Sequence, residues 1–198
     1  MTIFDTYHTN LLPYDGEVNY YANILPTHMA NHYFNALINN IAWQNDEVYM
    51  FGKHIITQRK VAWYANDGKS YAYANTTKMA LPFTPLLLEI KAIAEKITQT
   101  KFNSCLLNLY HNGSQGMGWH SDNEKSILAN STIASFSFGA DRRFTFKHKT
   151  SKQTINILLH HGSMLLMKNT TQAKWWHSLP KSKKINAPRI NLTFRQMV

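Results

Sequence analysis

The stretch STIASFSFGADRRFTFKHK, residues 131–149, decides how this chain folds. It contains two runs, STIASFSFGA and RRFTFKHK, rich in β-branched and aromatic residues and split by an Asp. The same texture extends in both directions. SCLLNLY lies upstream; TINILLH, SMLLMKN, AKWWHSL and RINLTFR follow. Many short strands without intervening helices predict a sandwich, jelly roll or barrel. The first half of the chain reads differently. Residues 27–41 predict a helix with Thr27 as N-cap and Met29, Tyr33, Phe34, Leu37, Ile38 and Ile41 as its apolar stripe. Residues 47–64 predict two strands around Phe51-Gly52-Lys53. Residues 85–98 predict a second helix, with Thr84 as cap and Pro85 in the first position. The class is α+β: one domain over residues 1–198, in which residues 1–103 pack against or over a β-rich body, 104–198.

The composition bounds the function. The chain has 198 residues, 44% of them hydrophobic, enough for a real core. A single cysteine, Cys105, excludes an internal disulfide and reads as a small buried hydrophobe. No apolar run approaches the roughly 20 residues of a membrane span. The first residues lack the pattern of a signal peptide. A cytoplasmic, bacterial-type or otherwise intracellular setting, a monomeric state and no membrane partner are expected. Net charge is +10, and its placement is uneven. From Asp141 onward twelve Lys/Arg stand against one acid; residues 1–140 hold nine against ten acids. That asymmetry suggests a polyanionic partner, most simply nucleic acid.

GWHSDNE, residues 118–124, carries the chemistry. On a strand, alternate side chains share a face, so His120 and Asp122 would point together. His177, in AKWWHSL, offers a third ligand. Two imidazoles and a carboxylate on one side of a metal suit non-haem Fe(II) and leave positions open. H-x-D alone is a weak signal in a chain with ten histidines. RINLTFR adds weight. Arg189, Asn191, Thr193 and Arg195 fall on one face, and Ile190, Leu192 and Phe194 on the other. Two arginines facing an interior need anionic partners, and a dicarboxylate would satisfy both. An extended strand of this length spans about 20 Å, so both side chains must lean inward to reach one small molecule. Asn108 and Tyr110 share a face of SCLLNLY and offer hydrogen-bond donors.

Together NLY, GWHSDNE, IASFSFGADRRFTFKHK, HGSMLLM, WWHSLP and PRINLTFR resemble the AlkB family of Fe(II)/2-oxoglutarate-dependent dioxygenases, from roughly residue 48 onward. The pattern is most similar to that of family members repairing alkylated duplex DNA. The resemblance implies a double-stranded β-helix, or jelly roll, preceded by helices and a nucleotide-recognition hairpin lid. It implies Fe(II) held by His120, Asp122 and His177, with 2-oxoglutarate and O₂ as co-substrates. Arg195 would take the carboxylate nearer the metal and Arg189 the distal one, with Asn108, Tyr110 and Thr193 assisting. Tyr73 would stack on a flipped base, and Glu124 would approach its exocyclic amine. Asn123 stands where the duplex-repairing pattern has an aspartate, which bears on base preference. Phe51 is the candidate wedge for the vacated stack. Arg59, Arg142 and further basic residues are candidate phosphate contacts.

The activity so implied is oxidative demethylation of bases such as 1-methyladenine and 3-methylcytosine in alkylated DNA, with release of formaldehyde. The same chemistry on methylated RNA is the alternative. A binding module without turnover would have no use for the triad or the two arginines. A structural zinc site would need a closed ligand set that this sequence does not offer.

Overall fold

The computed structural model describes residues 9–50, 53–66, 70–73 and 76–198. All seven strand-like runs of the second half form strands. They are β6 (Ser104–Tyr110), β8 (Ile133–Gly139), β9 (Arg142–His148), β10 (Thr154–Leu159), β11 (Ser163–Lys168), β12 (Trp175–Leu179) and β13 (Arg189–Arg195). The first half supplies β1 (Glu17–Tyr21), β2 (Gln44–Met50), β3 (Lys53–Ala65) and the small hairpin β4 (Ser70–Tyr73) with β5 (Thr76–Met79). One further short strand, β7 (Met117–His120), precedes β8. Among the described residues three helices complete the set: α1 (Thr27–Asn40), α2 (Pro85–Thr98) and the single turn α3 (Thr171–Lys174).

The strands form two main sheets. The larger has the order β1-β11-β8-β13-β6-β3-β2 and the smaller β10-β9-β12-β7. Pairing between consecutive neighbours in both is antiparallel. Strands from both sides of residue 103 therefore share one sheet. The two sheets enclose an apolar layer in which Val18, Ile133, Leu165 and Met167 of the larger meet Phe146, Ile157, Leu159 and Trp175 of the smaller. This is a jelly-roll body.

The outer face of the larger sheet is covered by the two long helices. Ala30, Tyr33 and Leu37 of α1 and Leu87, Ile90 and Ala94 of α2 pack on Leu107, Phe136, Phe138, Leu192 and Phe194. Burial of each large side chain contributes roughly 1.5–3 kcal/mol. β6 and β13 are thus covered on both faces, and β6 is buried at every position. α2 starts as its sequence predicts: Pro85 is its first residue, and the Thr84 hydroxyl accepts a hydrogen bond from the Leu87 N–H at 3.3 Å. α1 does not. Its cap is Pro26, whose extended backbone ends the preceding segment, and Thr27 already lies inside the helix. AKWWHSL is likewise split, with Ala173 and Lys174 closing α3 and the strand beginning at Trp175.

Candidate metal centre

His177 and His120 are direct partners across the antiparallel pair β12–β7. Their rings lie edge to face with centroids 4.2 Å apart. Phe144 of β9 stacks on the His177 ring at 5.4 Å. β7 ends at His120, so Asp122 is not on the same strand as the sequence suggested. It sits two residues into a loop, and that loop turns its carboxylate back toward the imidazoles. One donor atom from each of His120, Asp122 and His177 lies within 4.8 Å of the others.

Each ligand is prepared differently. His120 Nδ1 lies 2.9 Å from the Gly118 carbonyl. Donating there fixes the tautomer and leaves Nε2 as the free lone pair. His177 is buried, and its Nδ1 has no hydrogen-bond partner. Burial, aided by His120, pushes its pKa down to about 3, so the ring stays neutral and able to ligate. Burial alone would raise the Asp122 carboxyl. The Arg195 guanidinium and the two imidazoles outweigh it and hold the group at about 2. Arg195 donates to Asp122 Oδ2 through Nη2 at 2.7 Å and Nε at 3.2 Å. Two imidazoles and one ionised carboxylate converging on a point form a donor set that fits a divalent transition metal with open positions.

The ligands open onto a cavity between the sheets. Its lining includes Asn108, Tyr110, Ser135, Phe144, Arg189, Asn191, Thr193 and Arg195. Both arginines of β13 thus line one space, as the alternation required. Arg189 is 2% exposed and its Nη2 donates to Ser137 Oγ at 2.8 Å. Its Nε is buried without a partner, as is Asn108 Oδ1. Burial lowers the Arg189 pKa to about 10, which still leaves a cation at neutral pH. A buried cation with one hydroxyl partner is stable only if an anion completes its shell. Thr193 donates to Asn191 Oδ1 at 3.1 Å, and Asn191 donates to Ser135 Oγ and the Phe136 carbonyl. The sequence alone assigns no role to Asn191, Ser135, Ser137 or Phe144. Asn191 lies on the face that the alternation predicts, but only the β13–β8 register brings Ser135 and Ser137 to the same wall.

Arg59 and Arg142, expected as phosphate contacts with a place nearer the base pocket as the alternative for Arg142, are both buried. Arg59 forms a buried ion pair with Asp46 and donates to Met117 Sδ at 3.2 Å. Arg142 is 1% exposed and donates to the carbonyls of Asn112, Gln115 and Pro180. With Arg189, these guanidiniums surround the Tyr110 ring at 5.6–5.9 Å. Neither Arg59 nor Arg142 is the exposed phosphate contact expected; both brace the cavity wall. The loop held by Arg142 also explains Gly116, where a Cβ would collide with the Leu179 carbonyl. Glu124 does not line the metal-facing cavity. It lines an adjacent space of about 330 Å³ that also touches Asp122 and Gln172. Its Oε2 is buried without a partner, and burial followed by the Asp122 charge raises its pKa. Phe51 lies outside the described residues, and Tyr73 is the last residue of β4.

Comparison with known proteins agrees with this geometry. The chain is 39% identical over 159 residues to the human DNA oxidative demethylase ALKBH2, covering 76% of this chain and 61% of that protein. It is 40% identical over 147 residues to the human alpha-ketoglutarate-dependent dioxygenase alkB homolog 3, covering 69% of this chain and 51% of that protein. The chain spans 57–67% of the length of its mammalian ALKBH2 relatives. The solved structure of OsALKBH1 superposes with a TM-score of 0.63 at 15% identity, covering 90% of this chain and 96% of that one, which speaks for the fold. The model of the 2OG-Fe(II) oxygenase superfamily matches residues 17–195, and the chain belongs to that superfamily.

Proposed function

We propose that the protein is an Fe(II)/2-oxoglutarate-dependent dealkylase that removes methyl groups from ring nitrogens of nucleobases in DNA. One observation carries the reading: an imidazole and carboxylate triad opens onto the same cavity as a buried Arg189 whose Nε has no partner. A keto dicarboxylate answers both needs at once. His120, Asp122 and His177 would hold the metal, which when bound couples decarboxylation of 2-oxoglutarate to hydroxylation of the N-methyl carbon by O₂. The hydroxymethyl group then leaves as formaldehyde, and succinate and CO₂ account for the co-substrate. Arg189 would take the distal carboxylate. Asn108 and Tyr110 would orient the other end, while Arg195 keeps Asp122 ionised. Apolar neighbours such as Phe144, Leu106 and Leu179 exclude water from the reacting atoms.

DNA as substrate is supported by the names of the relatives and by the charge excess of the last third. A base inside a duplex must be extruded, at a cost of a few kcal/mol that is lower for a lesion unable to pair. Tyr73 and Glu124 are the proposed contacts to the extruded base and Phe51 the proposed wedge. The protein would act as a monomer inside the cell. Among the described residues no helix is long and apolar enough to cross a membrane. The test is mass spectrometry of oligonucleotides bearing 1-methyladenine or 3-methylcytosine. Loss of a methyl mass is expected only when Fe(II), 2-oxoglutarate and O₂ are all present. Demethylation without 2-oxoglutarate would overturn the reading, and faster turnover of matched RNA would overturn the choice of DNA.

A further inference from the structure

Asp122 is the one metal-ligand candidate without a strand to hold it. His120 and His177 are fixed by cross-strand pairing, and residues 121–125 have none before the Ile127–Met197 bridge. Its backbone is held instead by a side chain fifty residues away. The Asp122 N–H donates to Gln172 Oε1 at 2.9 Å. The other end of that amide, Nε2, donates to Met167 Sδ at 3.3 Å, which orients Oε1 toward the loop. Gln172 belongs to α3, a single turn with little stability of its own. The turn is anchored at Thr171, which is buried, donates to the Lys168 carbonyl at 2.6 Å and accepts from Glu17 N–H at 2.9 Å. Lys149 closes the arrangement. Its Nζ donates to the Gln172 carbonyl at 2.8 Å and to Ser121 Oγ at 3.1 Å, directly beside the ligand.

We propose that Gln172 is a positioning residue for the metal ligand Asp122, with Lys149 as its support. The carboxylate is gripped from one side by Arg195 and the backbone from the other by Gln172. The reason for a second grip lies next to it. The space of about 330 Å³ bounded by Asp122, Glu124 and Gln172 gives the loop room to relax away from the imidazoles. A ligand free to move into that space loses the pre-organised geometry on which metal affinity depends. Nothing in the H-x-D pattern points to this glutamine, because its partner is a backbone N–H.

The inference rests on the proposed metal centre, so its test pairs a metal-free reading with a metal-bound one. Amide exchange at Asp122 is followed in the metal-free full-length protein, and Co(II) affinity is titrated by visible absorption. Gln172→Met keeps the size and removes the acceptor; Gln172→Glu keeps the acceptor and gives up only the weak Nε2 donation to Met167 Sδ. Gln172→Met is expected to speed Asp122 amide exchange at least about tenfold and to weaken Co(II) binding by about 10–100-fold. Gln172→Glu stays near the parent in both, and Lys149→Met moves both in the direction of Gln172→Met by a smaller factor. Parent-like exchange and affinity in Gln172→Met would overturn the proposal. So would equal losses in Gln172→Met and Gln172→Glu, since packing would then explain them. Faster exchange in Gln172→Met alongside a parent protein that binds no Co(II) would instead refute the metal centre and leave the clasp standing.

Discussion

The inner face of the larger sheet has two ends made of the same kind of strand and filled in opposite ways. At the β1-β11-β8 end, Val18, Ile133, Leu165 and Met167 meet the smaller sheet carbon to carbon. At the β13-β6 end, the equivalent positions are Asn108, Tyr110, Arg189, Thr193 and Arg195. The helix-facing side is apolar over most of both ends, with Cys105, Leu107, Phe136, Leu166 and Leu192 under the helices. The contrast shows where stability and function divide. A jelly roll closed by apolar packing at one end and by two helices outside can carry buried cations and orphaned polar atoms at the other. At that end Arg189 Nε and Asn108 Oδ1 are buried groups that a bound anion and a donor would satisfy.

Substitutions at the two ends should separate accordingly. Asp122→Ala removes a proposed metal ligand and a partner of Arg195 together; turnover should fall below detection, while metal-free folding survives, as circular dichroism would show. Retained demethylation in that variant would break the contrast at its strongest point. Arg189→Met deletes the buried cation. Truncating one partner of such a charge pair costs about 2–5 kcal/mol of binding, so the KM for 2-oxoglutarate should rise on the order of 100-fold. Thermal stability should hold or increase, because an uncompensated charge leaves the interior. Leu165→Ala, at the other end, should cost about 2–5 kcal/mol of stability and leave the KM for 2-oxoglutarate unchanged; denaturant unfolding and steady-state kinetics test both halves.

The smallest effect expected is on pH dependence. The pKa of His177 is depressed in the folded protein, so the unfolded chain binds its proton first. Stability of the metal-free protein is therefore full above about pH 6.5 and falls as the pH drops toward 3. Asp122, also depressed, extends the loss below pH 4. Between pH 6.5 and 5.5 the change is about 1 kcal/mol or less, and His177→Phe should remove it.

How much of this was legible follows the same division. The seven runs of the β-rich half were readable because each has strand composition and a clear break, and RINLTFR even declared which face was polar. β1 and β7 were not, at five and four residues with no strong alternation. Pro26 displaced Thr27 as a cap because an extended proline already ended the segment. His120, Asp122 and His177 were visible as residue types at a spacing, yet Asp122 was placed on a strand that stops short of it. Arg59 and Arg142 read as surface charge, since their partners, Asp46 and three backbone carbonyls, leave no pattern near them. Lys149 likewise read as one of the basic phosphate contacts, and Gln172 had no reading at all, because long-range hydrogen bonds have no sequence signature.

The most direct test is an anaerobic titration of 2-oxoglutarate into the protein with and without Fe(II). Saturable one-to-one binding that requires the metal, and that is lost in both Asp122→Ala and Arg189→Met, is the predicted result. Binding that is indifferent to Fe(II), or unchanged in either variant, would contradict a single site built jointly by the triad and the buried arginine.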